Sequence, residues 1–64
     1  MSDINNFVKA CRDNNITLVR ELLHKVDING RAWGGTGLMM AMAYNNLPIV
    51  RMLLDHPNIL GKLH

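Results

Sequence analysis

Several features of common protein classes are missing from this 64-residue sequence. It has a single cysteine, Cys11, so an internal disulfide cannot support a small secreted fold. Its longest apolar run, residues 38–44, is far shorter than the ~20 residues that a membrane-spanning helix needs. The amino terminus lacks the basic start and apolar segment of a signal peptide. We therefore expect one small intracellular domain, in the cytoplasm or alternatively the nucleus, with no membrane partner.

Positive charge is in slight excess but is not concentrated. The formal net charge is +2, and one Trp, one Tyr and one Phe are the only aromatic side chains that could stack on bases. A nucleic-acid-binding surface requires cations clustered on one face, so we keep a small helical nucleic-acid-binding protein only as an alternative. The scattered cations are Lys9, Arg12, Arg20, Lys25, Arg31, Arg51 and Lys62.

Residues with catalytic or metal-binding chemistry are not grouped along the chain. Cys11, His24, His56 and His64 lack the local spacing of a structural zinc site. The glycine-rich segment 34–37 precedes a predicted helix, but the lysine of a phosphate-binding loop is missing. The sequence indicates no pair of nucleophile and base. We therefore predict that the protein is not an enzyme and has neither a cofactor nor a metal ion.

The most informative feature that is present is an internal repeat. Residues 5–23 and 36–54 align with a shift of 31 and no gap, and seven of nineteen positions are identical. Self-similarity at a period of 20–50 residues is typical of stacked repeats, in which one unit buries its apolar face against its neighbour. The identical pairs are Ala10/Ala41, Asn14/Asn45, Asn15/Asn46, Val19/Val50, Arg20/Arg51, Leu22/Leu53 and Leu23/Leu54.

Each copy predicts two helices joined by a turn. Asn14 and Asn45 tolerate the left-handed backbone that ends a helix, and Thr36 is a suitable N-cap. Between the copies, glycines and alternating polarity over residues 26–35 predict an extended loop or a short β-hairpin. The predicted helices cover residues 3–14, 16–24, 36–44 and 47–56.

The second copy resembles the ankyrin repeat, a helix-turn-helix unit of about 33 residues. The family motif is T-P-L-H-x-A-A-x-x-G-H-x-x-I-V-x-L-L-L, and this chain has Gly37 in place of its Pro and Met39 in place of its first His. The resemblance implies an all-α fold, with two stacked helix-turn-helix repeats joined by a short β-hairpin-like loop, as a fragment of an α-solenoid. The residues that match the motif are Thr36, Leu38, Ala41, Ile49, Val50, Leu53 and Leu54.

On this resemblance, residues 1–64 form a single module. Lys9 and Glu21 align with Met40 and Met52, so the first repeat is polar where an amino-terminal capping repeat would meet water. The parts are repeat one, about 3–25; the hairpin, 26–35; repeat two, 36–56; and a tail, 57–64.

Nothing is predicted to follow repeat two and cover its far side. Either the chain belongs to a longer array, or Met40 and Met52 form a self-association face of a homo-oligomer, most simply a two-fold dimer. An engineered, truncated repeat protein without a native partner is a further alternative.

The resemblance implies a protein–protein interaction module, because family members bind partners across hairpin tips and first helices. An exposed Trp33 with a neighbouring Tyr and Arg has the residue composition of an interface hot spot. Because indole is amphipathic, Trp33 can alternatively fold over the hairpin glycines. The partner's identity cannot be derived from the sequence. The positions carried over as partner-binding are Arg31, Ala32, Trp33, Gly35, Ala43, Tyr44, Arg12 and Asp13.

Overall fold

The computed structural model describes residues 3–57 and residue 59, and most of the predicted tail 57–64, with Lys62 and His64, lies outside them. None of the helices in the described part combines the length and apolar character needed to cross a membrane. The elements, in chain order, are α1 (Asp3–Asp13), α2 (Ile16–Leu22), β1 (Arg31–Ala32), β2 (Gly35–Thr36), α3 (Gly37–Ala43) and α4 (Leu47–Leu54).

The same turn joins the helices within each repeat. Asn14 and Asn45 have φ values of 62° and 58°, in the left-handed region that Asn tolerates. The residue after each one returns its N–H to the preceding helix: Asn15 N donates to Ala10 O at 2.9 Å, and Asn46 N makes the equivalent bond at 2.8 Å. The predicted Asn-Asn turns are therefore confirmed.

The second helix of each repeat is two residues shorter than predicted. α2 ends at Leu22 and not at His24, and α4 ends at Leu54 and not near His56. Beyond α4, the His56 N–H donates to Leu53 O at 3.1 Å, an i→i+3 bond that tightens the chain into a turn. Both histidines consequently lie in the turns that follow the helices.

A two-stranded antiparallel hairpin connects the repeats. Arg31 pairs with Thr36, and Ala32 pairs with Gly35. The two residues between the strands, Trp33 and Gly34, have φ values of 58° and 89°, as the tight turns of two-residue hairpins require.

The core lies between the helix pairs and contains only apolar side chains and the thiol. Most contacts between the repeats join α1 to α3, and fewer join α2 to α4. Among the described residues, no polar or charged residue is buried. The buried hydrophobic residues are Phe7, Val8, Ala10, Cys11, Val19, Leu22, Leu23, Ile28, Leu38, Ala41, Ile49, Leu53 and Ile59.

Gly37 allows α1 and α3 to approach closely. A Cβ at this position would lie 2.7 Å from Phe7 Cε2 and 2.9 Å from Cys11 Sγ. Neither neighbour can move aside, because both are fully buried. The buried side chains of Phe7 and Cys11 thus explain why glycine occurs at position 37, where the family motif has Pro.

α3 begins at Gly37 because the preceding Thr36 Oγ1 accepts a hydrogen bond from Met39 N at 3.1 Å, the N-cap expected from the sequence.

Candidate functional site

Aligned residues of the two repeats differ in exposure in a regular way. Asn6 and Lys9 are exposed, whereas their counterparts in repeat two, Gly37 and Met40, are buried and half-buried. Because Gly37 packs against Phe7 of repeat one, this side of repeat two faces the amino-terminal end of the stack. We call it the leading face, and it comprises Gly37, Met40, Asn46, Ile49 and Met52.

The opposite side of repeat two shows the reverse difference. Cys11 and Leu23 are buried in repeat one, but their counterparts Met42 and Leu54 are 55% and 52% exposed. Repeat two covers that side of repeat one, while the same side of repeat two is open in the described part of the chain. We call this open side the trailing face. It comprises Met42, Leu47, Val50 and Leu54, and an open groove of about 470 Å³ runs along its α4 part.

Met40 and Met52, the predicted self-association face, are half-buried and pack against the core. Their aligned residues in repeat one, Lys9 and Glu21, are exposed. The methionines therefore pack partly into the core of the folded chain. Sequence reasoning missed the trailing face, although the signal was present: three of its four residues align with buried positions of repeat one, and Leu47 aligns with the half-buried Ile16.

A side-chain amide joins the two repeats at the leading face. Asn46 Nδ2 donates to Cys11 O at 2.7 Å and to Arg12 O at 3.0 Å. These carbonyls end α1, where no helical N–H reaches them. The aligned Asn15 instead accepts from Leu18 N at 3.3 Å and caps its own helix, because no repeat precedes it in the structure.

Trp33 combines the two roles that the sequence left open. Its side chain is 58% exposed, yet its indole Nε1 donates to Asn5 O in the first turn of α1 at 3.0 Å. A left-handed backbone is unusual for a bulky residue, and this bond helps to hold the hairpin tip in that conformation. The hairpin tip is thus fixed beside α1 with most of the indole face open to solvent.

A second exposed aromatic residue lies at the other end of α1. Tyr44 is 59% exposed. The pKa of Arg12 is raised by its side-chain hydrogen bond to Asp13 and the charge of Asp13 and, to a smaller extent, by Tyr44. Arg12 Nε donates to Asp13 Oδ1 at 3.0 Å, and this hydrogen bond lowers the pKa of the Asp13 carboxyl. Asn5 and Arg12 are seven residues apart on α1, or about 10 Å at ~1.5 Å per residue.

The remaining predicted partner-binding residues divide by exposure. Arg31 and Ala43 are exposed, Ala32 is half-buried, and Gly35 is buried. Gly35 and Ala32 pair with each other in the hairpin, so they shape its tip. We use the name recognition strip for the surface formed by Trp33, Arg31, Arg12, Asp13, Tyr44 and Ala43.

The thiol of Cys11 is unsuited to reaction or metal binding in the folded state. Its side chain is buried, and burial raises the pKa of the thiol from 9.0 to about 12. The nucleophile and metal ligand is the thiolate, which is therefore scarce. Among residues 3–57 and 59, no three His, Cys, Asp or Glu side chains are grouped to hold a metal ion.

A family model described as ankyrin repeats (3 copies) matches residues 7–62. The chain belongs to the ankyrin repeat family. Searches of curated proteins and of solved structures returned no significant match. The helix pairs and hairpin agree with the membership, which confirms the predicted fold.

Ankyrin repeats are generally protein–protein interaction modules and form a non-enzymatic family. In this ankyrin chain, the exposed aromatic residues of the recognition strip and the apolar trailing face are separate surfaces.

Proposed function

We propose that this ankyrin module binds a protein partner through the recognition strip. The observation that carries the proposal is the pair of exposed aromatic residues, Trp33 and Tyr44, with α1 between them. Trp, Tyr and Arg are the residues that dominate binding energy in protein interfaces. Because the indole is held by its bond to Asn5 O, little side-chain entropy is lost on binding.

The strip also carries the polar groups that orient a partner. Arg31 at the hairpin is exposed, and Arg12 is bonded to Asp13 beside Tyr44. Such an arrangement suits an elongated segment that lies along α1 and contacts both ends. A partner of this kind is recognised by aromatic contact at the ends and by hydrogen bonds between them.

The proposal is tested with the immobilised chain and its alanine variants. Captured proteins are identified by mass spectrometry, and the affinity of one purified partner is measured for wild type, Trp33→Ala and Tyr44→Ala. We expect each aromatic variant to lose about tenfold or more in affinity. Thr17→Ala, an exposed position on α2 outside the strip, is the matched control and should bind as wild type.

Circular dichroism separates binding from folding in the same series. Trp33→Ala should retain its helicity, and Trp33→Phe should restore part of the affinity because it keeps an aromatic ring. Unchanged binding in both aromatic variants would contradict the proposal. A bound nucleic acid would instead show affinity that falls steeply with salt.

We further propose that two copies associate through their trailing faces. Met42, Leu47 and Leu54 are exposed apolar side chains. The leading side of repeat one instead presents the polar side chains of Asn6, Lys9, Asp13 and Asn15 in a groove that also contains Ala10 and Leu18. Apolar and polar faces do not match head to tail, so like pairs with like about a two-fold axis.

Sedimentation over a dilution series tests the pairing. Wild type should change from dimer to monomer on dilution, and Leu54→Asp should be monomeric throughout because it places a charge in the apolar contact. Lys9→Asp, on the opposite side, should dimerise as wild type does. A wild-type chain that is monomeric at all concentrations would contradict the pairing.

A further inference from the structure

Two histidines from different repeats meet on a side of the molecule that no function described above uses. His24 follows α2 and His56 follows α4, 32 residues later. Their ring centres are 6.1 Å apart, and the ring planes are inclined by 34°. His24 is exposed and His56 is half-buried, so the pair can be reached from solvent.

The spacing of the rings suits a shared metal ion. An imidazole nitrogen binds Zn²⁺ at about 2.0–2.1 Å, and with about 1.1 Å from nitrogen to ring centre, two imidazoles on one tetrahedral ion have centres about 5.2 Å apart. The observed 6.1 Å is about 1 Å longer than this distance, so the two rings need to approach by only about 1 Å to share an ion.

We propose that His24 and His56 form a two-histidine site for a divalent transition-metal ion that joins repeat one to repeat two. Imidazole ligands suit Cu²⁺, Zn²⁺ and Ni²⁺, with Cu²⁺ bound most tightly. Ca²⁺ and Mg²⁺ prefer oxygen ligands and are rejected.

Solvent completes the coordination of this ion. Among the described residues, no third His, Cys, Asp or Glu is grouped with the two histidines, and Cys11 is buried in the core. The ion therefore binds reversibly and stabilises the folded chain by mass action, since the unfolded chain does not hold the two rings together.

Titration of the full chain with ZnCl₂ and CuCl₂ tests the site by calorimetry and thermal unfolding. We expect one ion per chain, a rise in Tm with metal and no effect of MgCl₂. His24→Gln and His56→Gln should each weaken binding by about tenfold or more, since each removes one of the two ligands. His64→Gln is the matched control and should bind as wild type.

An NMR measurement identifies the ligands directly. Substoichiometric Cu²⁺ should broaden the imidazole signals of His24 and His56 together. The proposal is overturned by an absence of binding at millimolar Zn²⁺, by equal affinity in wild type and both Gln variants, or by loss of binding in His64→Gln.

Discussion

Repeat one and repeat two have the same residue at several aligned positions, but these residues have different environments. Leu23 is 8% exposed and the identical Leu54 is 52% exposed. Asn15 caps its own helix, whereas Asn46 bonds to carbonyls of the other repeat. The place of a residue in the stack, more than its type, therefore determines its burial and its hydrogen-bond partners. Five experiments test this difference between the repeats.

The largest effect is expected at the pair Ile49 and Leu18. Ile49 is fully buried and its aligned Leu18 is half-buried. Ile49→Ala should lower the free energy of unfolding by about 2–5 kcal/mol, enough to unfold much of a small domain at 25 °C. Leu18→Ala should cost only about 1 kcal/mol because less apolar area is lost. Urea denaturation measures both, and equal losses would remove the distinction between the repeats.

Alanine substitution should change stability more at Gly37 than at Asn6, and at Gly37 the change should have the opposite sign to that of an ordinary helical Gly→Ala substitution. A helical Gly→Ala change ordinarily stabilises by up to ~1 kcal/mol. Gly37→Ala should instead destabilise by about 1–3 kcal/mol, because the new methyl meets buried Phe7 and Cys11. Asn6→Ala should lie within about 0.5 kcal/mol of wild type because Asn6 is exposed. A stabilised Gly37→Ala, seen by thermal unfolding, would mean that α1 and α3 are farther apart.

Substitution by aspartate distinguishes the role of Asn46 from that of Asn15. An Asp at position 46 cannot donate to Cys11 O and Arg12 O, so Asn46→Asp should destabilise by about 1–2 kcal/mol. Asn15→Asp should be nearly neutral, since Asp and Asn are equally good N-caps. Chemical denaturation of both variants gives the comparison. A neutral Asn46→Asp would show that its amide does not join the repeats in solution.

Cys11 should make stability depend on pH under alkaline conditions. The unfolded chain releases the thiol proton near pH 9.0, whereas the folded chain retains it to about 12. The raised folded-state pKa means that this contribution is complete below pH 9 and declines as pH rises from 9 toward 12. The decline should be absent from Cys11→Ala, measured by urea denaturation over the same pH range.

The reactivity of a thiol placed at the aligned position gives the control for burial. Met42 occupies that position in repeat two and is 55% exposed. At a dilution at which the chain is monomeric, Met42→Cys in a Cys11→Ala background should react rapidly with a thiol reagent, whereas native Cys11 should react only through unfolding. Equal rates would mean that the trailing face is covered in solution.

Local sequence signals were sufficient for the helices and turns. The Asn-Asn turns and the Thr36 cap depend on contacts within a few residues, so periodicity and capping chemistry identify them. The ends of α2 and α4 were placed two residues too far, because the i→i+3 bonds that close them have no distinctive residue pattern.

Contacts between the repeats were harder to predict. The spacing of metal ligands along the sequence identifies only ligands that are near each other in the chain. It does not identify His24 and His56, which are 32 residues apart and come together only when the repeats stack. Likewise, the sequence leaves open whether Trp33 serves an interface or folds over the hairpin glycines. The bond from its indole to Asn5 O depends on how the hairpin lies beside α1.

The repeat, its family and its helix pairs are evident from the residues alone, because a period of 31 can be read along the chain and the residues that cap and turn helices act over short distances. Which side of repeat two is covered and which is open depends on how the two repeats stack. That distinction arises from stacking: one repeat can bury a given side chain only where the other repeat lies, and identical residues in the two repeats meet different neighbours.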